Sequence, residues 1–236
     1  PWMFGYVTRL AEPNIIPLDR STSTAPSAED LGKQWAANFV DSGAADTIAE
    51  LRKIPADRFM KDQSYYKTRV TVDGWCLHDH PATGFASGKQ ADVPMMIGTT
   101  SAEGNYFSGF VPAKREAFET VLKEFYGPAA DPLLQRYSGV STEDLKRDGC
   151  RFISDAWLVQ PARQLLEGMN TVTSTVFQYE FAFPNPKNPA LGAPHASELR
   201  YVFGSLREDA TQVQREISDT MMGYWTQFAK TGNPNL

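Results

Sequence analysis

A chain of 236 residues with 42% hydrophobic and 22% charged residues has the makeup of a globular protein with room for one well-buried core, and not of a disordered one. Its net charge of −5 leaves no basic field for a nucleic-acid backbone. No apolar run approaches the roughly 18–20 residues needed to cross a bilayer. Cys76 and Cys150 allow at most one disulfide, and their spacing fits no zinc pattern. Two buried free thiols are the reading adopted, with the redox compartment left open.

In chain order, residues 11–27 are rich in Pro, Ser and Thr and read as an irregular surface segment. Ser27-Ala28-Glu29-Asp30 then resembles a capping box, with Asp30 reaching back. Leu31, Trp35 and Phe39 follow at helical spacing, which predicts a helix that Gly43 can end. A second short helix is predicted through Ile48 and Leu51, stopping before Pro55. Val70-Thr71-Val72 leads into the turn dipeptide Asp73-Gly74. Val93 to Gly98 is a short continuous apolar run, too short for a buried helix, and predicts a strand buried on both faces as in a parallel sheet.

Beyond Pro112, the residues Phe118, Val121, Leu122 and Phe125 mark a helix closed by Gly127. Ser141-Thr142-Glu143-Asp144 opens another helical region, interrupted at Pro161 and ending near Gly168 or Asn170. Thr173 to Phe183 alternates, with Phe177, Tyr179 and Phe181 on one apolar face, and reads as a strand. Four prolines from Pro184 to Pro194 hold an extended loop that delivers His195. Val213, Ile217, Met221, Tyr224, Trp225 and Phe228 predict a long amphipathic helix stopped at Gly232. Strands alternating with helices predict the α/β class. With no internal repeat and no clear linker, residues 1–236 read as a single domain. The start at Pro1 and the stop at Leu236, just past a helix end, both read as cuts through a longer protein.

Chemistry concentrates at two strand ends. Histidine is scarce, with His78, His80 and His195 only. By position alone His195 is a surface or capping residue, and Glu103 a charge favoured by a helix N-terminus. Yet both follow predicted strands at their carboxyl ends, where open α/β sheets collect catalytic groups. Carboxylate before histidine is also the order of an α/β-hydrolase triad, Ser…Asp/Glu…His. His78-Asp79-His80 lacks a third, separated ligand and reads as a solvated turn before Pro81 and not as a metal site. Trp75, Tyr65, Tyr66, Tyr106 and Phe107 read as aromatic core packing, the alternative being an acyl pocket. No phosphate-cradling glycine loop and no Asn-x-Ser/Thr acceptor occur.

Several blocks carry a resemblance. Val72-Asp73-Gly74 resembles a V-D-G segment, and Val93-Pro94 through Glu103-Gly104-Asn105-Tyr106-Phe107 resembles a V-P-x-x-x-G…E-G-x-x-F block. His195-Ala196-Ser197-Glu198-Leu199-Arg200-Tyr201-Val202-Phe203-Gly204 resembles H-G-x-E-x-x-Y-V-F-G. Trp225-Thr226-Gln227-Phe228-Ala229 through Thr231-Gly232-Asn233-Pro234-Asn235 is similar to W-x-x-F-A-x-T-G-x-P-N, and Asp155 with Pro161-Ala162-Arg163 matches part of a helix. These are the blocks of the type-B carboxylesterase/lipase family, the cholinesterase-like branch of α/β-hydrolases, in the family's order. The chain departs from them at Ala196, where the family has glycine, and at Ala102, a position often acidic there.

The resemblance implies a partial α/β-hydrolase fold, the later strands and helices of a mostly parallel sheet, truncated at both ends. It implies a carboxylic ester hydrolase with an acyl-enzyme mechanism, acting on a small-molecule ester without metal or organic cofactor. His195 would be the base, Glu103 the carboxylate orienting it, and Glu198 a further carboxylate near the pair. The serine nucleophile and oxyanion donors are not in this chain. No G-x-S-x-G occurs, and Gly84-Phe85-Ala86-Ser87-Gly88 places its serine one position late. Alone the chain is expected to be inactive, and without the upstream half of its domain to be poorly soluble or partly unfolded. The resemblance also admits a non-catalytic adhesion module as a second reading. The compartment is unassigned, with a secreted or periplasmic place compatible with the resemblance.

Overall fold

Parallel strand pairs organise both halves of the molecule. The computed structural model describes residues 15–19, 26–41, 43–61, 70–137, 139 and 141–235. They divide into two compact units, one up to Thr83 and the other from Gly84 onward. Tyr65 and Tyr66 lie outside the described residues, as do most of residues 11–27.

In the first unit, β1 (Ile15–Pro17) pairs with β2 (Val70–Val72) in parallel, Ile15 opposite Val70. This corrects the expectation of an irregular surface segment there, since Ile16 is buried. A three-residue strand has too little sequence to show a period and is defined by its partner. Between them lie α1 (Ala28–Ala36), α2 (Thr47–Arg52) and α3 (Ala56–Lys61). Ser27 Oγ accepts from the Asp30 amide at 3.1 Å and caps α1 as expected. The helix ends at Ala36, well before Gly43, in a turn whose Asn38 and Phe39 amides bond the Trp35 and Ala36 carbonyls. Phe39 closes a triangle of rings with Trp35 and Phe59, with centroids 4.8 to 5.3 Å apart. Asp73 Oδ1 accepts three successive amides, from Trp75, Cys76 and Leu77, which makes the predicted turn after β2. That turn leaves Trp75 84% exposed and Cys76 exposed, so neither is the buried residue expected from its type.

In chain order, α4 (Pro81–Ala86) is followed in the second unit by β3 (Met95–Thr100), α5 (Glu103–Tyr106), α6 (Arg115–Tyr126), α7 (Ala130–Arg136) and α8 (Thr142–Ile153). The strand begins two residues later than the apolar run, beyond Pro94, and extends through Thr100. A π-helical segment, Ser154–Val159, joins α8 to α9 (Gln160–Met169) ahead of Pro161, which has no amide to give an α-helical bond. The chain continues through β4 (Val176–Phe181), α10 (Leu199–Val202) and α11 (Gln212–Thr231).

Strands β3 and β4 pair in parallel from Met95–Val176 to Thr100–Phe181. Gly98 stands opposite Tyr179, and a Cβ there would lie 2.2 Å from the tyrosine ring. Glycine therefore lets that ring lie across the strand. On the predicted apolar face of β4, Tyr179 packs edge-on to Trp225 at 4.9 Å and Phe177 to Phe228 at 6.1 Å. The helix α11 is opened by a reciprocal capping box between Thr211 and Gln214 and closed by Gly232 in the left-handed conformation.

The larger core gathers Phe118 and Leu122 of α6, Tyr137, and Leu145, Phe152 and Ile153 of α8. Phe152 is its hub, meeting the edges of Phe118, Tyr126 and Tyr137 at 5.4 to 6.0 Å. A second cluster, with Phe181, Ala193, Tyr201, Val202 and Met221, backs the loop that carries His195.

Candidate active site

The site is assembled where β3 and β4 end side by side. Past Thr100, the Ser101 amide donates to the Phe181 carbonyl at 3.0 Å and the Ala102 amide to the Ala193 carbonyl at 2.9 Å. These bonds keep the exit of β3 beside the segment leading to His195. Asn105 adds a side-chain bond to the Leu191 carbonyl at 2.9 Å.

Glu103 is the first residue of α5 and is 4% exposed. A buried carboxylate is costly unless its oxygens are bonded. Here Oε1 accepts the Thr100 amide at 2.7 Å, and Oε2 lies 2.6 Å from Nδ1 of His195, 92 residues further along the chain. With Glu103 ionised, Nδ1 carries the proton and donates, which leaves Nε2 as the accepting nitrogen. The His195 side chain stays 38% exposed, and Nε2 makes no hydrogen bond to any described residue. A fixed imidazole with a vacant accepting nitrogen can take a proton from a nearby hydroxyl.

The loop geometry bears on the two departures from the resembled blocks. Ala196 holds φ at +62°, and among the described residues it is the one non-glycine with positive φ. The left-handed turn after His195 is therefore kept even though alanine replaces glycine, at the cost of Cβ crowding. Ala102, where an acid is often found, presses its Cβ toward Gly192 and leaves Glu103 without a carboxylate immediately before it.

Around the imidazole, the Phe107 ring lies 5.1 Å and the Tyr106 ring 6.0 Å from the His195 ring. Phe107 continues into the larger core through Trp157 at 5.4 Å, as core packing predicts. Tyr106 does not, being 67% exposed. Glu198 has one carboxylate oxygen, Oε2, buried without a hydrogen-bond partner. The Tyr179 phenol is pushed up, first by burial and then by the negative charges of Glu198 and Glu103. Both carboxylates thus act on one electrostatic environment.

Asp155 accepts the Tyr137 hydroxyl at 2.5 Å, and burial with this bond pushes the phenol up from 10.0 to about 12. His78 and His80 instead serve their own turn, His78 Nδ1 bonding the Gly74 carbonyl at 2.9 Å and His80 Nδ1 accepting the Ala82 amide at 3.3 Å. No cluster of potential metal ligands occurs among the described residues. A groove of about 440 Å³ between β4 and α11, bordered by Tyr179, Phe183, Ile217 and Tyr224, includes neither Glu103 nor His195. Sequence reasoning missed Thr100 and Ser154, both tied to the carboxylate loop through backbone amides. Thr100 acts through its own amide and Ser154 through its hydroxyl on the Gly104 amide, and a bond that uses a backbone amide leaves no sequence signal.

Parallel strands ending beside a buried carboxylate–imidazole pair define the class: an α/β-hydrolase fold, present in part. The sequence profile of the Carboxylesterase family matches residues 20–236. Similar relatives include acylcarnitine hydrolase of Rattus norvegicus, 31% identical over 70% of this chain and 34% of its own length. Others are para-nitrobenzyl esterase of Bacillus subtilis, 28% identical over 70% of the chain and 34% of its own length, and bile salt-activated lipase of Mus musculus, 27% identical over 88% and 39%. The solved structure of PNB esterase superposes with a TM-score of 0.65 at 25% identity, covering 94% of this chain and 49% of that one. The chain belongs to the carboxylesterase family. It spans between 34% and 39% of the length of those three relatives. No helix among the described residues is long and apolar enough to cross a membrane.

Proposed function

We propose that the protein containing this chain is a carboxylic ester hydrolase of the serine type, working through an acyl-enzyme, with His195 as its base. The single observation that carries this reading is the 2.6 Å bond between His195 Nδ1 and the buried Glu103. A serine hydroxyl needs a base to accept its proton during attack, and Nε2 of His195 fills that role. The same nitrogen then returns the proton to the leaving alcohol, and water releases the acyl group by the reverse sequence. Glu103 fixes the tautomer and stabilises the imidazolium in both halves of the cycle. Glu198 adds negative field to the same end. No metal or organic cofactor enters the reaction.

The serine and the oxyanion donors come from a part of the protein outside residues 1–236, in the upstream half of the same domain. These residues alone therefore have no ester turnover, the absent nucleophile being worth roughly 10⁶ in kcat. By themselves they are also expected to be poorly soluble or partly unfolded, with strand edges and an apolar face uncovered. The test is hydrolysis of a chromogenic acetate ester by the intact protein and by the chain alone. Turnover with a stoichiometric burst in the intact protein, lost on His195→Ala, is expected. A burst from the chain alone would overturn the assignment of the nucleophile. An intact protein with alanine or glycine in the serine's place would be a non-catalytic binding module.

A further inference from the structure

Nothing in the proton relay itself accounts for the contacts of the π-helical segment at Ser154–Val159. Its first residue reaches across to the backbone of the carboxylate loop. Ser154 Oγ accepts the Gly104 amide at 2.8 Å, across 50 residues of sequence, and donates to the Cys150 carbonyl at 3.1 Å. A hydroxyl has one proton to give, so the bond to Cys150 turns a lone pair toward Gly104. At the same junction Gly104 lies flat against the helix, and a Cβ there would stand 1.9 Å from the Cys150 carbonyl oxygen. Gly104 directly follows Glu103 and is buried with it in α5. The segment touches the imidazole side as well, since Trp157 packs on Phe107 and Phe107 on His195.

We propose that Ser154 is a positioning residue for the ester hydrolysis: its hydroxyl locks the Gly104 amide, and thereby holds the Glu103 carboxylate in register with His195. This rests on the function proposed above. The Thr100 amide and His195 each hold one oxygen of the carboxylate, but neither holds the backbone that carries it. Without the Ser154 oxygen the Gly104 amide is buried and unbonded, and the backbone at Glu103 is held only through its neighbours, by the Ala102 amide on Ala193 and the Asn105 side chain on Leu191. A shift of a fraction of an ångström at Glu103 is felt at the imidazole, whose orientation decides proton transfer. Widened helical turns recur at functional sites, and this one begins at the residue whose hydroxyl takes the Gly104 amide.

The experiment uses the intact protein. In Ser154→Ala, kcat for an activated ester falls by about 10- to 100-fold while KM changes by less than about twofold. Ser154→Thr, which keeps the hydroxyl and its bond back to Cys150, retains most of the rate. The Nδ1 proton resonance of His195, assigned by its loss in His195→Gln, broadens or moves upfield in Ser154→Ala and keeps its place in Ser154→Thr. Should the alanine variant not fold, Ser154→Cys, a weaker acceptor of similar shape, carries the same expectations. An unchanged kcat and an unchanged Nδ1 signal in a folded Ser154→Ala would overturn the proposal, as would equal losses in the alanine and threonine variants. A wild-type protein without turnover would instead defeat the proposed function, and the Nδ1 resonance would still decide the role of Ser154.

Discussion

Thr100 and Phe181 stand opposite each other at the last position of two parallel strands, so β3 and β4 end level. Each strand then releases a loop, one to Glu103 and the other to His195. A register slip would carry one of them away from the other and turn the side chains of that strand to the opposite face. The 2.6 Å contact between them depends on that alignment.

The carboxylate is expected to matter through its charge and its fixed geometry. Glu103→Gln in the intact protein keeps the shape but lets the amide favour the wrong imidazole tautomer. The expected loss is on the order of 10³–10⁴ in kcat, with KM little changed. Steady-state kinetics with a chromogenic ester measures it, and a loss smaller than about tenfold would count against the role given to Glu103.

Gly104→Ala is expected to be disruptive for a steric reason. Its Cβ would stand 1.9 Å from the backbone oxygen of Cys150, which cannot rotate away as a side chain could. A loss of at least about 3 kcal/mol in stability follows, read by urea denaturation.

Ala196→Gly is expected to act in the opposite direction. At φ +62° alanine is strained and glycine is not. Relief of that strain outweighs the added freedom of the unfolded chain and raises stability by up to about 1 kcal/mol. Denaturant midpoints of the two proteins would show it, and a lower midpoint for the glycine variant would refute it.

The pH response of Asp92 can be read directly. Its carboxylate accepts from the Thr173 hydroxyl at 2.7 Å and the Ser174 amide at 2.8 Å, and these bonds lower its pKa from 3.8 to about 2. A depressed folded-state pKa stabilises the protein above the ordinary value, and that contribution is lost as pH falls toward the folded one. Wild type should therefore melt above Asp92→Asn at neutral pH. The difference should shrink between pH 3.8 and about 2.

At alkaline pH the expectation reverses in sign. The Tyr137 phenol is held at about 12 against an ordinary 10.0, so its contribution is complete below pH 10.0 and disappears as pH rises through about 12. Tyr137→Phe should flatten the alkaline decline in melting temperature. An unchanged slope would show that the bond to Asp155 does not govern it.

Most long elements were legible in the residues, because their causes are local. The side-chain spacing of Phe118, Leu122 and Phe125 and the stop at Gly127 mark α6. The alternation read from Thr173 to Phe183 contains β4, and the spacing from Val213 to Phe228 with the stop at Gly232 marks α11. The failures were non-local. β1 exists because β2 lies beside it, α1 gives way at Ala36 to a turn that carries Phe39 against Phe59, and the π-helical turn arises from the join of two helices ahead of Pro161.

The same division holds for the site. The sequence by itself determined the family and the order of carboxylate and histidine, since motif blocks survive as short runs of residues. Only the tertiary structure decided that Glu103 is buried and bonded to His195, that Ala196 keeps a left-handed turn without glycine, and that Ser154 holds the neighbouring amide. The reason is one of range. Caps, turns and periods act over a few residues, whereas these contacts join segments 50 to 92 residues apart through the pairing of two strands and the packing of a helix junction.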